Sequence, residues 1–66
     1  MNKLRLLIVD DEAPARARLR DLLGDIAAEL PTEVVAEAGD GIDALERIDA
    51  LAPGAIDIAL IDIRMP

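Results

Sequence analysis

The sequence contains no cysteine and no histidine, which removes disulfides, thiolate metal sites and the commonest zinc ligand and acid–base group. Phe, Tyr and Trp are also absent, so any core must be built from Leu, Ile, Val and Ala without the large area that a ring contributes. No stretch reaches the roughly 20 apolar residues of a membrane span, and the apolar run in MNKLRLLIVDDE is too short for a signal peptide. A cytoplasmic location is the expectation, with no membrane partner. Positive charge is scarce. Lys3 and six arginines face fourteen acidic residues for a net charge of -7, a field that argues against this segment binding nucleic acid.

What remains is a foldable aliphatic chain. Hydrophobic residues make up 53% of the sequence and charged residues 32%, outside the weakly hydrophobic, highly charged class that stays disordered. Its 66 residues allow one domain, and a chain of that size buries only about 60% of the surface exposed when unfolded.

Leu4, Leu6, Leu7, Ile8 and Val9 form an almost unbroken aliphatic run, the pattern of a strand covered on both faces, and the run stops at Asp10. From Pro14 onward, Ala15, Leu19, Leu22, Leu23, Ile26, Ala27 and Leu30 recur at three- and four-residue steps, predicting an amphipathic helix closed by Pro31. Arg16, Arg18 and Arg20 read as a solvated face of that helix, neutralised locally by Glu12, Asp21 and Asp25. A second strand is predicted over Glu33 to Ala38. Gly39-Asp40-Gly41 then gives a turn with Asp40 as N-cap, and Ile42, Leu45, Ile48 and Leu51 give a second helix one apolar face before Pro53-Gly54. Ile56, Ile58, Ala59, Leu60 and Ile61 make a third strand, and Asp62 stands at its end.

The pattern β-α-β-α-β predicts a parallel sheet sandwiched by helices. Right-handed crossovers permit strand order 3-2-1 or 2-1-3. In order 2-1-3 the first and third strands are neighbours and their C-terminal ends flank a topological switch point, so Asp10, Asp11 and Asp62 converge. Order 3-2-1 separates them and leaves Asp10-Asp11 unexplained. Acidic residues do often follow buried strands simply because loops are solvated, but the third acid at the same end strengthens the functional reading. Carboxylates within about 5 Å repel by roughly 3 kcal/mol per pair at an effective dielectric near 20, so the cluster invites a cation. Oxygen-only ligands favour Mg²⁺ or a similar hard ion, which would also suit phosphoryl transfer to one of the carboxylates.

Leu7 to Glu12 (LIVDDE), Pro14 to Arg16 (PAR) and Asp57 to Pro66 (DIALIDIRMP) resemble the two-component receiver domain, and Gly39 to Ile48 (GDGIDALERI) resembles its second turn and helix. The resemblance covers residues 1–66 and implies the N-terminal part of a single receiver domain: a truncated flavodoxin-like α/β fold with strand order 2-1-3. It implies that Asp62 accepts a phosphoryl group from a sensor histidine kinase, with possible self-phosphorylation from small phosphodonors. Asp11 matches a direct Mg²⁺ ligand, Asp10 the neighbouring acid that reaches the ion through water, and the backbone carbonyl of Arg64 a further protein ligand. Glu12 matches no direct ligand and reads as a rim charge, while Met65 and Pro66 shape the loop after Asp62. Val9 to Leu23 is similar to regulators of the LytR/AlgR type, which implies transcriptional control through a C-terminal LytTR DNA-binding domain. Complete receivers continue through two more strands and three more helices, whose strand ends supply a hydroxyl residue and a lysine around the phosphoryl group. Lys3 lies at the wrong end of the first strand and Thr32 precedes the second, so the expectation for this segment alone is slow phosphorylation without coupling to an output.

Two other readings compete. Gly39-Asp40-Gly41-Ile42-Asp43-Ala44 fits the dinucleotide fingerprint G-x-G-x-x-G/A, but it would set acidic Asp40 where a pyrophosphate needs bare N–H groups and leaves Asp10 and Asp11 idle. An EF-hand pattern is not matched around Asp40. The second competitor is a non-catalytic interaction module, in which the third strand, an edge in order 2-1-3, drives self-association through Ile58, Leu60 and Ile61.

Overall fold

The computed structural model describes residues 3–62. Five elements follow in the expected order: β1 (Leu4–Asp10), α1 (Ala13–Asp25), β2 (Thr32–Ala38), α2 (Gly41–Ala50) and β3 (Ile58–Asp62). The strands form one three-stranded sheet in the order β2-β1-β3, and β1 pairs in parallel with both neighbours. The architecture is the expected flavodoxin-like α/β arrangement with a parallel sheet in the order 2-1-3.

The central strand carries the core. Leu6, Leu7, Ile8 and Val9 are all buried, joined by Ala38 at the end of β2 and Ala44 on α2. Side chains alternate along a strand, which puts Leu7 and Val9 on one face, where they cluster with Ala38 and Ala44. Leu6 and Ile8 take the opposite face, where Leu19 of α1 lines a shallow groove with Ile8 and Leu60. The two crossovers thus lie on opposite sides of the sheet, which a right-handed chain needs to place β2 and β3 on either side of β1. Between Leu6 and Leu7 the β1–β2 register shifts, pairing Leu6 with Val34 and Leu7 with Ala36. Val35 is the additional residue of a β-bulge, and beyond it Glu37 pairs with Ile8 and Ala38 with Val9.

Three expected boundaries and faces are corrected. The first helix ends at Asp25, and Ile26, Ala27 and Leu30 lie in turns closed by bonds from Ala27 N–H to Gly24 C=O (3.3 Å) and Leu30 N–H to Ile26 C=O (2.8 Å). Gly24 is a weak helix former, and Pro31 disfavours helical geometry at Leu30. In α2 the large apolar residues do not meet the sheet: Ile42 is 74% and Leu45 63% exposed, while Ala44 is buried. The small side chain lets the helix approach β1 and β2 closely. Ile48 and Leu51 instead border an open groove of about 470 Å³ with Leu7, Ile56 and Ala59. Finally, Ile56 precedes β3 rather than opening it and packs against the core cluster.

The ends of α2 follow from local chemistry. Asp40 is the N-cap and its carboxylate accepts the Asp43 N–H at 2.7 Å. Asp43 in return accepts the Gly39 N–H at 3.2 Å, a near relative of the capping box. After α2, Ala55 N–H donates to Ala52 C=O at 3.1 Å across Pro53 and Gly54, and Gly54 has φ +78°. That geometry is a turn with proline second and a left-handed glycine third, and a Cβ at Gly54 would be strained there.

Among the described residues β3 pairs only with β1, and Ile58 (42%) and Ile61 (59%) are left exposed. An exposed aliphatic edge templates pairing with another chain. The 66-residue chain is therefore expected to sediment as dimers or larger species at micromolar concentration. A single monomer boundary with intact secondary structure in analytical ultracentrifugation would contradict that expectation.

Candidate functional site

Parallel strands deliver their last residues to the same edge of a sheet, and here Asp10 ends β1 and Asp62 ends β3. The two are register partners, on strands about 4.8 Å apart. The chain leaves β1 toward β2 on one side and reaches β3 on the other, so this pair sits at the switch point where open α/β sheets bind ligands. Asp10 is partly buried, whereas Asp11, in the bend before α1, and Asp62 are exposed.

Several contacts hold the β1 end of the site in place. The Asp10 carboxylate accepts the Glu12 N–H at 2.9 Å, an Asx-type turn that steers the chain from strand to helix. Glu12 is the N-cap of α1, and its carbonyl accepts the N–H groups of Ala15 and Arg16 at 3.1 and 3.2 Å. Pro14 occupies the first turn, where its missing N–H costs nothing.

Arg16 does not belong to a solvated face. Its guanidinium donates to the Asp10 carbonyl and pairs with Glu37 of β2, Nε to Oε1 at 3.3 Å. Arg20 pairs with the other oxygen of Glu37. Two arginines one helical turn apart thus grip a single carboxylate, tying α1 to β2 across the end of β1. The i, i+4 spacing of Arg16 and Arg20 carried this signal; its target, Glu37, faces them only because the bulge at Val35 sets the register.

Sequence reasoning also missed a pair at the opposite edge. Asp57, just before β3, makes a forked ion pair with Arg5 of β1 at 3.1 Å. The Arg5 fork holds the Asp57 carboxyl below the usual aspartate range, and the Arg5 guanidinium is raised in turn.

The structure brings Asp10 and Asp62 into register. It does not gather three acids into one group: among the described residues no set of three or more Asp or Glu side chains is close enough to hold a metal ion. Asp11 follows Asp10 directly but stands in the bend outside the strand pair. The expected ligand carbonyl of Arg64, with Met65 and Pro66, lies outside the described residues.

The glycine-rich loop gives the dinucleotide reading little. It follows β2, the outer strand, away from the switch point. The donors that would meet a pyrophosphate are taken up by the carboxylates of Asp40 and Asp43, and neither Gly39 nor Gly41 has a positive φ.

No protein-family model matches the chain, and no solved structure does. Curated proteins do. The chain is 43% identical over 63 residues to an uncharacterized response regulatory protein of Yersinia pestis, covering 96% of this chain and 24% of that protein. It is 44% identical over 63 residues to the cyclic di-GMP phosphodiesterase response regulator RpfG of Xanthomonas campestris pv. campestris, covering 96% of this chain and 15% of that protein. With the positive alginate biosynthesis regulatory protein of Pseudomonas aeruginosa it shares 46% identity over 63 residues, 96% of this chain and 23% of the relative. The chain therefore spans a quarter or less of the length of these relatives. No helix among the described residues is long and apolar enough to cross a membrane. The strand-end aspartates, the β2-β1-β3 sheet and the similarity to response regulators over nearly the whole of this chain together support its reading as an N-terminal receiver fragment.

Proposed function

We propose that Asp62 is the phosphoacceptor of this receiver. The observation that carries the reading is the register pairing of Asp10 with Asp62 at the C-terminal edge of the sheet. An exposed carboxylate at the end of β3 is open to a phosphodonor, while β1 fixes a second carboxylate beside it. A carboxylate oxygen of Asp62 attacks phosphorus of a phosphohistidine on a sensor kinase. The P–N bond breaks as the P–O bond forms, the imidazole leaves with the electron pair and takes a proton, and Asp62 becomes an acyl phosphate.

The donor set fits Mg²⁺ in kind: oxygen is the only hard ligand present, and the like charges of Asp10 and Asp62 favour a cation between them. Asp10, Asp11 and Asp62 would hold the ion, with the carbonyl of Arg64 as the further ligand. When bound, the ion neutralises charge on the phosphoryl oxygens. Asp10 is pinned by the Glu12 N–H and by Arg16 through its carbonyl, so β1 offers a fixed wall while Asp62 reacts.

A titration with Mg²⁺ tests the metal half of the reading apart from transfer. Asp11→Ala should weaken Mg²⁺ by about tenfold or more, the scale that even outer-shell losses reach at metal sites. Equal affinity in the two proteins would remove Asp11 from the site. The output is proposed on motif similarity: Val9 to Leu23 has the pattern of LytR/AlgR-type regulators, and one relative is named a regulatory protein of alginate biosynthesis. Transcriptional control through a LytTR domain follows from that likeness. With a net charge of -7, DNA contact belongs to such a domain rather than to this segment.

A further inference from the structure

Four hydrogen bonds join just two residues at the N-terminal edge of the β1–β3 pair. Asp57 N–H donates to the Arg5 carbonyl at 2.8 Å, and Arg5 N–H donates to Asp57 Oδ2 at 2.8 Å. Arg5 Nε donates to the same oxygen at 3.2 Å and Nη2 to Oδ1 at 3.1 Å. Both side chains are well exposed, and an exposed ion pair adds little to global stability. What it can do is specify alignment.

Alignment is otherwise weakly encoded between these strands. Leu6, Leu7, Ile8 and Val9 face Ile58, Ala59, Leu60 and Ile61, and sliding one aliphatic run along the other by two residues keeps every side chain on its original face. Only the ends are distinctive. At the C-terminal end Asp10 meets Asp62, two like charges that oppose their own pairing. At the N-terminal end Arg5 meets Asp57, opposite charges in a bidentate fork, the geometry in which an arginine is most directional. Arg5 precedes Asp10 by the same five residues as Asp57 precedes Asp62. In parallel strands without a bulge, fixing one end therefore fixes the other, and the β1–β3 register runs without a shift from Leu6–Ile58 to Asp10–Asp62.

We propose that the Arg5–Asp57 fork is a register lock that holds Asp62 opposite Asp10, making Arg5 and Asp57 positioning residues for the acceptor site; its functional consequence rests on Asp62 being the phosphoacceptor. A slip of two residues would carry Asp62 about 7 Å along the strand, beyond sharing a cation with Asp10. Arg5 also faces Glu33, its Cα partner on β2, which attracts it toward the other edge strand. Asp57 holds the fork because its backbone and both carboxylate oxygens take part.

The lock has a pH window. The Asp57 carboxyl is lowered chiefly by its side-chain hydrogen bond from Arg5, then by the Arg5 N–H. A lowered carboxyl contributes above its unfolded value, about 3.9 for aspartate, and the contribution disappears as the pH falls through the lower folded value.

The test is made on the full chain with two separate readouts, cross-strand amide contacts by NMR and acetyl phosphate labelling of Asp62 with Mg²⁺. Wild type should show one contact set running from Leu6–Ile58 to Asp10–Asp62. Asp57→Ala should replace it with a shifted or mixed set and lower Asp62 labelling at least about tenfold, on the scale of losses that misplacing a reacting group causes. Arg5→Lys, which keeps the charge without the fork, should retain both only partly. If Asp57→Ala fails to fold, Asp57→Asn is read in the same way. An unshifted contact set with undiminished labelling in a folded Asp57 variant overturns the lock. A register shift in Asp57→Ala without any wild-type labelling at Asp62 upholds the lock and removes the phosphoacceptor reading instead.

Discussion

Asp62→Asn should lower phosphoryl incorporation from acetyl phosphate by orders of magnitude while leaving the fold in place. The substitution keeps shape and exchanges a nucleophilic carboxylate for an amide, and removal of a reacting nucleophile costs rate on that scale. Asp62 is exposed at the end of an edge strand, where substitutions usually change stability by less than about 0.5 kcal/mol. Its charge also opposes that of its register partner Asp10, so the neutral variant should be as stable as wild type or slightly more so. Loss of labelling on phosphate-affinity gels with an unchanged or higher urea midpoint therefore separates a chemical role from a structural one. Labelling at the wild-type rate would remove Asp62 from the chemistry.

The largest structural effect is expected at Leu7. It is only 1% exposed, lies in the central strand, and packs with Val9, Ala38 and Ala44. Leu7→Ala should cost about 2–5 kcal/mol. A 66-residue chain has about 3–10 kcal/mol of stability by the usual per-residue scale, so the substitution should remove a large share of it and lower the urea midpoint sharply. Leu7 also borders the groove shared with Ile48, Ile56 and Ala59, and truncation enlarges that groove rather than closing it. The same change at Leu22, which is 60% exposed, should move the midpoint little. Equal midpoints for the two variants would contradict the placement of the core in β1.

β1 and β3 were legible because each is dominated by Leu, Ile and Val and ends at an aspartate, β2 more weakly from Val34-Val35 ahead of Gly39, and strand order followed from asking which arrangement explains Asp10 and Asp11. The faces of the helices were less legible. Ile42, Leu45 and Ile48 have the spacing of a core-facing stripe, yet α2 approaches the sheet through Ala44, because spacing reports that residues share a face but not which face lies against a neighbour. The end of α1 was misplaced for a related reason: apolar periodicity runs on through Ile26 and Leu30, although the helix has already ended at Asp25, just after Gly24.

At the site, Asp10 and Asp62 were legible from their positions at strand ends. Glu37 and Asp57 were not, since each acts through a partner distant in sequence, Arg16 with Arg20 and Arg5 respectively. The pairing of Glu37 depends on a bulge that Val34-Val35 does not announce. The pairing of Asp57 did leave a trace, the equal five-residue spacing from Arg5 to Asp10 and from Asp57 to Asp62, which becomes meaningful once β1 and β3 are known to be neighbours.

The most direct measurement is the location of the phosphoryl group itself. The full chain is treated with acetyl phosphate and Mg²⁺, the acyl phosphate is reduced with borohydride to homoserine, and the peptides are sequenced by mass spectrometry. Conversion confined to Asp62 and dependent on Mg²⁺ is the predicted result; conversion at Asp10, Asp11 or another acid with Asp62 intact would contradict it.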